Sequence, residues 1–487
     1  MASGSAAAAP GDIDPSFGAS GVVETPQTLR QGHLREFALG IAIGRRDEIF
    51  TLGGVPQACP EKCPLDLEVT RYGRDGARDP SFGSGGRAVL TVNPGQDLRV
   101  AASVAVGADG KAVIATTDAS DITVFRLTAG GALDPTFGGS GAVKIHLGGH
   151  AQAARVAVQR DGSIIVAGAR ETPLEGTQPL LVKLTPSGAL DGTFGVGGVS
   201  VLAFALDDYP AGLALLGRER VAAGLSDCCY ATGRALIARL DSDGDLDRGF
   251  ASKGWRSVGR LAPVRVVSVM PGQKGRLVLI GVSRKGAFAA RFLSDGRSDR
   301  SFGRGGLTWP ALPGPRRQFS SAAVDDTGRV LFATLGRRSG GLGLTRLRLN
   351  GRLDLTFAGG NARGVPGITG NPWVALQSSG RIVVLGEGGE CERTCPPSRM
   401  VLARYTGGNS GARCDGRRAT VVGTRRSETL EGTQHRDVIQ GLGGDDRIFG
   451  FGGNDLICGS GGNDRLFGGK GRDRLSGGAG RNHLQQN

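Results

Sequence analysis

Asp437, Asp446, Asp455, Asp464 and Asp473 recur at a spacing of nine residues near the end of a 487-residue chain. Each fills position six of a nonapeptide that runs from Gly423 as GTRRSETLE, GTQHRDVIQ, GLGGDDRIF, GFGGNDLIC, GSGGNDRLF, GGKGRDRLS and GGAGRNHLQ. Glycine occupies position one in every copy and position four in the last five, which marks turns that need positive φ or close backbone approach. Carboxylates interleaved with backbone carbonyls, with no His or Cys cluster beside them, are hard oxygen donors, and such a donor set suits calcium. The flanking copies carry Glu428 and Asn482 in place of aspartate, and His435 stands where the second copy would have its glycine.

Other chemistry-bearing residues are scattered. Five histidines, His33, His146, His150, His435 and His483, come with no HExxH, no GxSxG elbow and no Walker loop, so no catalytic residue is nominated. Eight cysteines comprise the CxxxC pairs Cys59/Cys63 and Cys391/Cys395, the vicinal Cys228 and Cys229, and the single Cys414 and Cys458. Local disulfides are expected within the CxxxC pairs, with a zinc site shared by all four thiolates as the competing reading. Cys458, at position nine of its repeat, points outward where the aliphatic at position eight points in, and is expected to reach Cys414. The pairing of Cys228 and Cys229 stays open.

A second repeat supplies the elements that hold everything before the tail. DPSFGASG at Asp14 returns as DPSFGSGG at Asp79, DPTFGGSG at Asp134, DGTFGVGG at Asp191, DRGFASKG at Asp247, DRSFGRGG at Asp299 and DLTFAGGN at Asp354. Each copy is followed by a short β-branched stretch, then by two apolar runs around a polar turn, as in VAVGADGKAVIAT and VAVQRDGSIIVAG, and then by a fourth strand such as ITVFRL. Four short strands per unit, seven times over, predict a seven-bladed β-propeller. Arg71, Arg126, Lys183, Arg239, Arg291 and Arg346 each stand eight residues before a motif aspartate, which reads as a structural salt bridge per blade. Arg404 has no aspartate after it, and Asp14 to Val23 has the motif without a strand before it. A ring closed by the N-terminal segment explains both defects.

With these motifs in place, residues 12–406 resemble the delta-60 repeat proteins, bacterial chains built from LDPSFGxxG, a DGKIVVAG-like hairpin and an LxRLxxDG strand. Asp79 to Val89, Leu133 to Val143 and Val156 to Gly168 fit closely, while the units at Asp247 and Asp354 lose the Pro and the Gly after Phe. The resemblance implies a propeller-like fold of unknown biochemical role and adds no catalytic residue. The tail resembles the RTX nonapeptide repeat, which implies a parallel β-roll with two copies per coil and an ion between copies n and n+2. Carried over, the pairs are Asp446 with Asp464, Asp455 with Asp473 and Asp437 with Asp455. Backbone carbonyls around Gly441, Gly443, Gly450, Gly452, Gly459, Gly461 and Gly468 complete the implied donor set.

Composition bounds the rest. Glycine at 85 residues with 39% hydrophobics excludes both a collagen and a disordered chain. No apolar run approaches the ~18 residues of a membrane helix, so no membrane insertion is expected. The net charge of +14 lies almost wholly before residue 423 without a block of like charge, so nucleic acid is not an expected partner. The cysteines suit an oxidising compartment, although residues 1–10 have neither a basic n-region nor an apolar h-region. The expected chain is all-β: a disordered segment 1–10, a seven-bladed β-propeller over 11–406, a linker 407–422 and a calcium-binding parallel β-roll over 423–487. The expected protein is a monomeric, secreted or cell-surface bacterial protein that binds calcium and whose propeller is a scaffold for an extracellular protein or polysaccharide ligand, anionic in character. The alternative is a secreted hydrolase or lyase acting on an extracellular polymer. Converging Asp, Glu or His at one channel mouth favours the enzyme, and an arginine-rich face favours binding.

Overall fold

A computed structural model describes residues 10–25, 36–57, 64–93, 101–174, 176–204, 210–217, 219–226, 233–261, 264–312, 319–335, 342–358, 361–362, 368, 370, 372–388, 399–407, 412–419, 421–423, 427, 429–432, 434 and 436–486. Seven four-stranded antiparallel sheets form the blades of a propeller. The second blade shows the pattern: inner strand Ala102–Val106, then Ala112–Asp118, Asp121–Arg126 and the outer strand Ala142–Ile145. Helical structure among the described residues is limited to the short 3-10 turn Gln273–Gly275 and a single 3-10 residue at Ala358, and no helix there is long and apolar enough to cross a membrane.

Repeat and blade are out of step by one strand. The β-branched stretch after each motif, expected to begin a unit, is the outermost strand of the blade before it. Arg87–Val92, for example, pairs with Leu65–Tyr72, placing Val89 opposite Glu68. The motif loop itself causes this, because it is tethered backward. The Asp79 N–H donates to the Arg71 carbonyl and the Arg71 N–H to the Gly86 carbonyl, both at 3.0 Å, which returns the chain onto the strand it has just left.

Each blade then hooks the next. Arg Nε reaches the motif carboxylate at 2.8 Å in Arg126–Asp134, 2.8 Å in Arg239–Asp247, 2.9 Å in Arg291–Asp299 and 2.7 Å in Arg346–Asp354. Arg71 meets Asp79 through Nη2 at 2.8 Å, and Lys183 meets Asp191 at 3.0 Å. A second guanidinium nitrogen donates to a carbonyl of the following blade, Arg239 to Ser294 at 2.5 Å and Arg291 to Leu349 at 2.6 Å. The six arginines lie 4.5 to 4.9 Å above the motif phenylalanines, which are at most 1% exposed. Beneath that, the residue after each phenylalanine donates its N–H into the next blade's turn, as Gly303 does to Asn350 at 2.8 Å. At that turn Gly351 has φ +79, and a Cβ there would stand 2.8 Å from the Gly303 nitrogen. Only glycine permits so close an approach.

The N-terminal segment completes the ring as its motif predicts. Val22–Glu24 is the outer strand of the seventh blade, antiparallel to Arg399–Tyr405 with Val22 opposite Ala403. Asp14 accepts from Arg404 Nε at 3.0 Å. The Ala358 N–H donates to Pro10 and the Gly18 N–H to Asp75, both at 2.9 Å, so the blade-to-blade bonds run unbroken through the closure. A turn that is one loop elsewhere is made here of two segments, held by Gly11 N–H to Thr406 O at 2.7 Å and Thr406 N–H to Asp12 O at 2.9 Å.

Beyond the hairpin of Arg413–Cys414 and Arg417–Arg418 stands a parallel roll of about three coils. One sheet is built from Val421–Val422, Val438–Gln440, Leu456–Gly461 and Arg474–Ala479, the other from Thr429–Glu431, Arg447–Phe449, Arg465–Phe467 and His483–Gln485. Partners are one coil of two nonapeptides apart, Ile439 opposite Ile457 and Ile448 opposite Leu466. The position-eight side chains Leu430, Ile439, Ile448, Ile457 and Leu466 are fully buried between the sheets, whereas Leu484 in the last rung is 47% exposed.

Removing residues 1–24 leaves Arg399–Tyr405 as an open edge and Arg404 buried without Asp14. Breaking a buried pair costs ~3–5 kcal/mol, so the propeller's thermal midpoint is expected to fall by several degrees. An unchanged midpoint in scanning calorimetry refutes closure by this strand.

The acid limb offers a second check. Burial alone would raise the Asp299 carboxyl, but the Ser301 hydroxyl, Arg276 and Arg291 outweigh it and hold the group at about 2. Its stabilising contribution is therefore present above the unfolded value of ~3.9 and lost as pH falls toward 2. Arg291→Met weakens that hold and is expected to move acid unfolding to higher pH; superimposable titrations of variant and parent would contradict the assignment.

Candidate metal centre

The position-six aspartates stack because the coil repeats every eighteen residues. Asp437 N–H donates to Asp455 Oδ1 at 2.8 Å, Asp446 N–H to Asp464 Oδ1 at 2.9 Å and Asp455 N–H to Asp473 Oδ1 at 2.9 Å. All three expected pairs are thus brought together. Asn482 takes the carboxylate's place above Asp464, at 2.8 Å. Asp437, Asp446, Asp455 and Asp464 are at most 2% exposed, and Asp473, nearer the open end, is half-buried. Glu428 and His435 lie outside the described residues.

One oxygen of each of Asp455, Asp464 and Asp473 is thereby satisfied. The other, Oδ2 of Asp455, Asp464 and Asp473, is buried and accepts no hydrogen bond. An enclosed anionic oxygen without a donor is costly unless a cation meets it. The position-one glycines show what else faces this space. A Cβ on Gly450 would collide with both Asp455 Oδ2 and the Gly468 carbonyl, and one on Gly459 with both Asp464 Oδ2 and the Gly477 carbonyl. Carboxylate and carbonyl oxygens therefore converge where a side chain would otherwise stand. Gly441 is bounded in the same way by the Gly459 carbonyl, while Gly443, Gly452 and Gly461 stand two residues further along the same turns. Among the described residues no three His, Cys, Asp or Glu side chains cluster. A cation here draws on single carboxylates and backbone carbonyls, which is oxygen chemistry of the calcium kind. Burial pushes the Asp455 carboxyl up to about 7; the Asp437 N–H opposes the shift, and the Asp437 and Asp473 carboxylates add to it.

A second ladder at position five escapes a reading based on aspartate alone. Asn463 N–H donates to Asp445 Oδ1 at 2.7 Å, Arg472 N–H to Asn454 Oδ1 at 2.9 Å and Arg481 N–H to Asn463 Oδ1 at 2.9 Å. It runs opposite to the aspartate ladder, so each turn is tied to its neighbour in both senses. The doublets Asp445-Asp446, Asn454-Asp455 and Asn463-Asp464 were its signal in the sequence.

Cys414 and Cys458 are joined in a disulfide, which pins the third strand of the first sheet, Leu456–Gly461, to the segment after the propeller. Cys59, Cys63, Cys228, Cys229, Cys391 and Cys395 lie outside the described residues.

In the propeller two groups of ionisable residues stand apart from the blade pairs. The inner strand His150–Val158 has a bulge between Ala153 and Arg155, and bulges re-aim the side chain that follows. The Arg155 guanidinium lies 5.6 Å over the Trp373 ring of the seventh blade, and burial followed by the charge of Arg265 in the fifth pulls it down to about 10. Three blades thus meet across the ring interior through two arginines and a tryptophan. At the seam of blades seven and one, burial and then Glu68 push the Glu36 carboxyl up to about 7, with Arg87 and Arg78 opposing and Glu387 adding.

The RTX calcium-binding nonapeptide repeat family matches residues 422–457, 431–466 and 449–484. Residues 107–137 and 159–194 match a β-propeller domain family of unknown function. No curated protein matches the chain. Among solved structures, the Dos1 propeller is 10% identical with a TM-score of 0.42, over 76% of this chain and 93% of that one. The β-propeller domain of the Trilobed protease from Pyrococcus furiosus is 11% identical with a TM-score of 0.42, over 77% of this chain and 96% of that one. Puromycin hydrolase is 13% identical with a TM-score of 0.45, over 79% of this chain and 54% of that one.

Peptide mapping without reductant is expected to recover Cys414 and Cys458 as one crosslinked fragment. Recovery of both as alkylated free thiols refutes the bridge.

Proposed function

We propose that the protein is an exported calcium-binding scaffold: a roll over residues 423–487 that folds with calcium, tethered through 407–422 to a propeller over 11–406 that presents a binding surface. The carrying observation is the set of enclosed aspartate oxygens without donors, in repeats whose family binds calcium. Asp437, Asp446, Asp455, Asp464 and Asp473 hold the ions, together with position-one carbonyls. Without the ion, like charges stack at near-zero exposure, and one aliphatic per nonapeptide buries too little surface to order a glycine-rich backbone. With it, stability grows as RT ln(1 + [Ca]/Kd) per site. Extracellular calcium modules bind at ~10⁻⁴ to 10⁻³ M, so the tail folds outside the cell and not before. The Cys414–Cys458 disulfide agrees with an oxidising destination. Arginines in the ring interior, rather than carboxylates, favour an anionic extracellular protein or polysaccharide as the ligand of a monomeric scaffold.

A second reading, a hydrolase or lyase acting on an extracellular polymer, is favoured by one observation. Glu36 is held near neutrality beside further carboxylates, as a general acid or base would be. Loss of polymer cleavage in Glu36→Gln would support it.

Scanning calorimetry of the full chain is expected to show two transitions. Only the roll's should move upward between chelator and millimolar calcium, and Asp464→Ala should reduce that response more than Asp437→Ala, because Asp464 sits mid-stack between two partners. A roll transition indifferent to calcium refutes the proposal.

A further inference from the structure

We propose that the cleft between the roll and the propeller binds an acidic sugar, a polyhydroxylated ring that bears a carboxylate or a phosphate and no nucleobase. This names a site and a ligand class, and it rests on the preceding reading only in requiring the calcium-folded roll as one wall.

The roll sits against the turns of the fifth and sixth blades, where Arg348 reaches Glu431 at 3.4 Å. The two units enclose a cavity of about 580 Å³, within the ~300–1,000 Å³ of small-molecule sites. The propeller wall contributes Lys274 and Arg352, and the roll wall contributes Arg436. Other charged groups along the cavity are engaged or buried. Arg276 and Arg291 are committed to Asp299 at 2.8 and 2.9 Å, Glu431 is met by Arg348, and Asp437 is 2% exposed. Lys274, Arg352 and Arg436 are exposed and form no ion pair among the described residues. Three such cations around one cavity repel each other and attract an anion.

Two features narrow the class. Phe451 in the roll wall is 43% exposed, and an aromatic face at a cavity mouth suits the apolar face of a sugar ring. Asn350 and Gln434 add amides able to donate to and accept from hydroxyls.

The test is titration calorimetry of the full chain in millimolar calcium with digalacturonate, glucose 6-phosphate, AMP and neutral cellobiose. At least one acidic sugar is expected to bind about tenfold or more tightly than cellobiose and AMP, and the arm that binds identifies carboxylate or phosphate as the anion. Arg352→Glu and Arg436→Glu should each weaken binding by about tenfold or more and Phe451→Ala by several-fold. Arg248→Glu, an exposed arginine of the fourth blade outside the cavity, should leave it unchanged. Equal affinity for neutral and acidic sugars, preference for AMP, or unaltered binding by Arg352→Glu overturns the proposal. The roll's calorimetric transition, read in the same samples, separates the two readings. Calcium-folded roll with no sugar bound sinks this site alone, whereas sugar bound to a roll indifferent to calcium sinks the folding reading and leaves the site.

Discussion

A cation lying over a phenylalanine, bonded to its own blade's aspartate, is the interaction on which the ring depends. In Arg291 one guanidinium does three things at once: it neutralises Asp299, covers Phe302 at 4.6 Å and donates to Leu349 in the next blade. A planar fork with several donors can do this; the ammonium of Lys183, 6.0 Å above Phe194, makes a looser version. Because the group is buried, removing either partner leaves an uncompensated charge, so each blade is stable only with its motif loop folded back on it. That requirement forces the one-strand offset between repeat and blade. It also forces Asp14 to meet Arg404, for without the N-terminal segment the seventh blade would be the one place where the charge stays open.

The two units answer the problem of buried polarity in opposite ways. In the propeller every motif carboxylate has its cation within the chain, and in six of the seven the hydroxyl two residues on adds a hydrogen bond, as Ser301 does for Asp299, while Gly249 gives Asp247 only its N–H. In the roll Asp455, Asp464 and Asp473 each accept a backbone N–H on one oxygen and no hydrogen bond on the other. A ring that satisfies itself needs no partner to fold, whereas the proposed calcium ions would complete the roll from outside. The two units are joined where Arg348 meets Glu431.

Much of this was legible in the order of residues. The spacing of eight between cation and aspartate, the orphan motif at Asp14 and the orphan Arg404 define the closed ring, since a covalent chain can supply the missing strand from one place only. The nine-residue period defines the aspartate ladder, because stacking at eighteen residues follows from two turns per coil. The outward position of Cys458 was enough to pair it with Cys414. These features are local or periodic, and periodicity survives in one dimension.

What the tertiary structure alone decided is everything that depends on residues from unrelated positions meeting. The return of each motif loop onto its own strand sets the blade boundary, and no period in the sequence distinguishes that from a loop that opens the next blade. The meeting of Arg155, Arg265 and Trp373 needs the closure of the ring, because three inner strands approach one axis only when seven blades complete it. The cavity that sets Lys274 and Arg352 against Arg436 and Phe451 exists only through the docking of one unit on the other. Type and spacing determined which contacts repeat; the angle between neighbours, summed over the whole ring, determined which strangers touch.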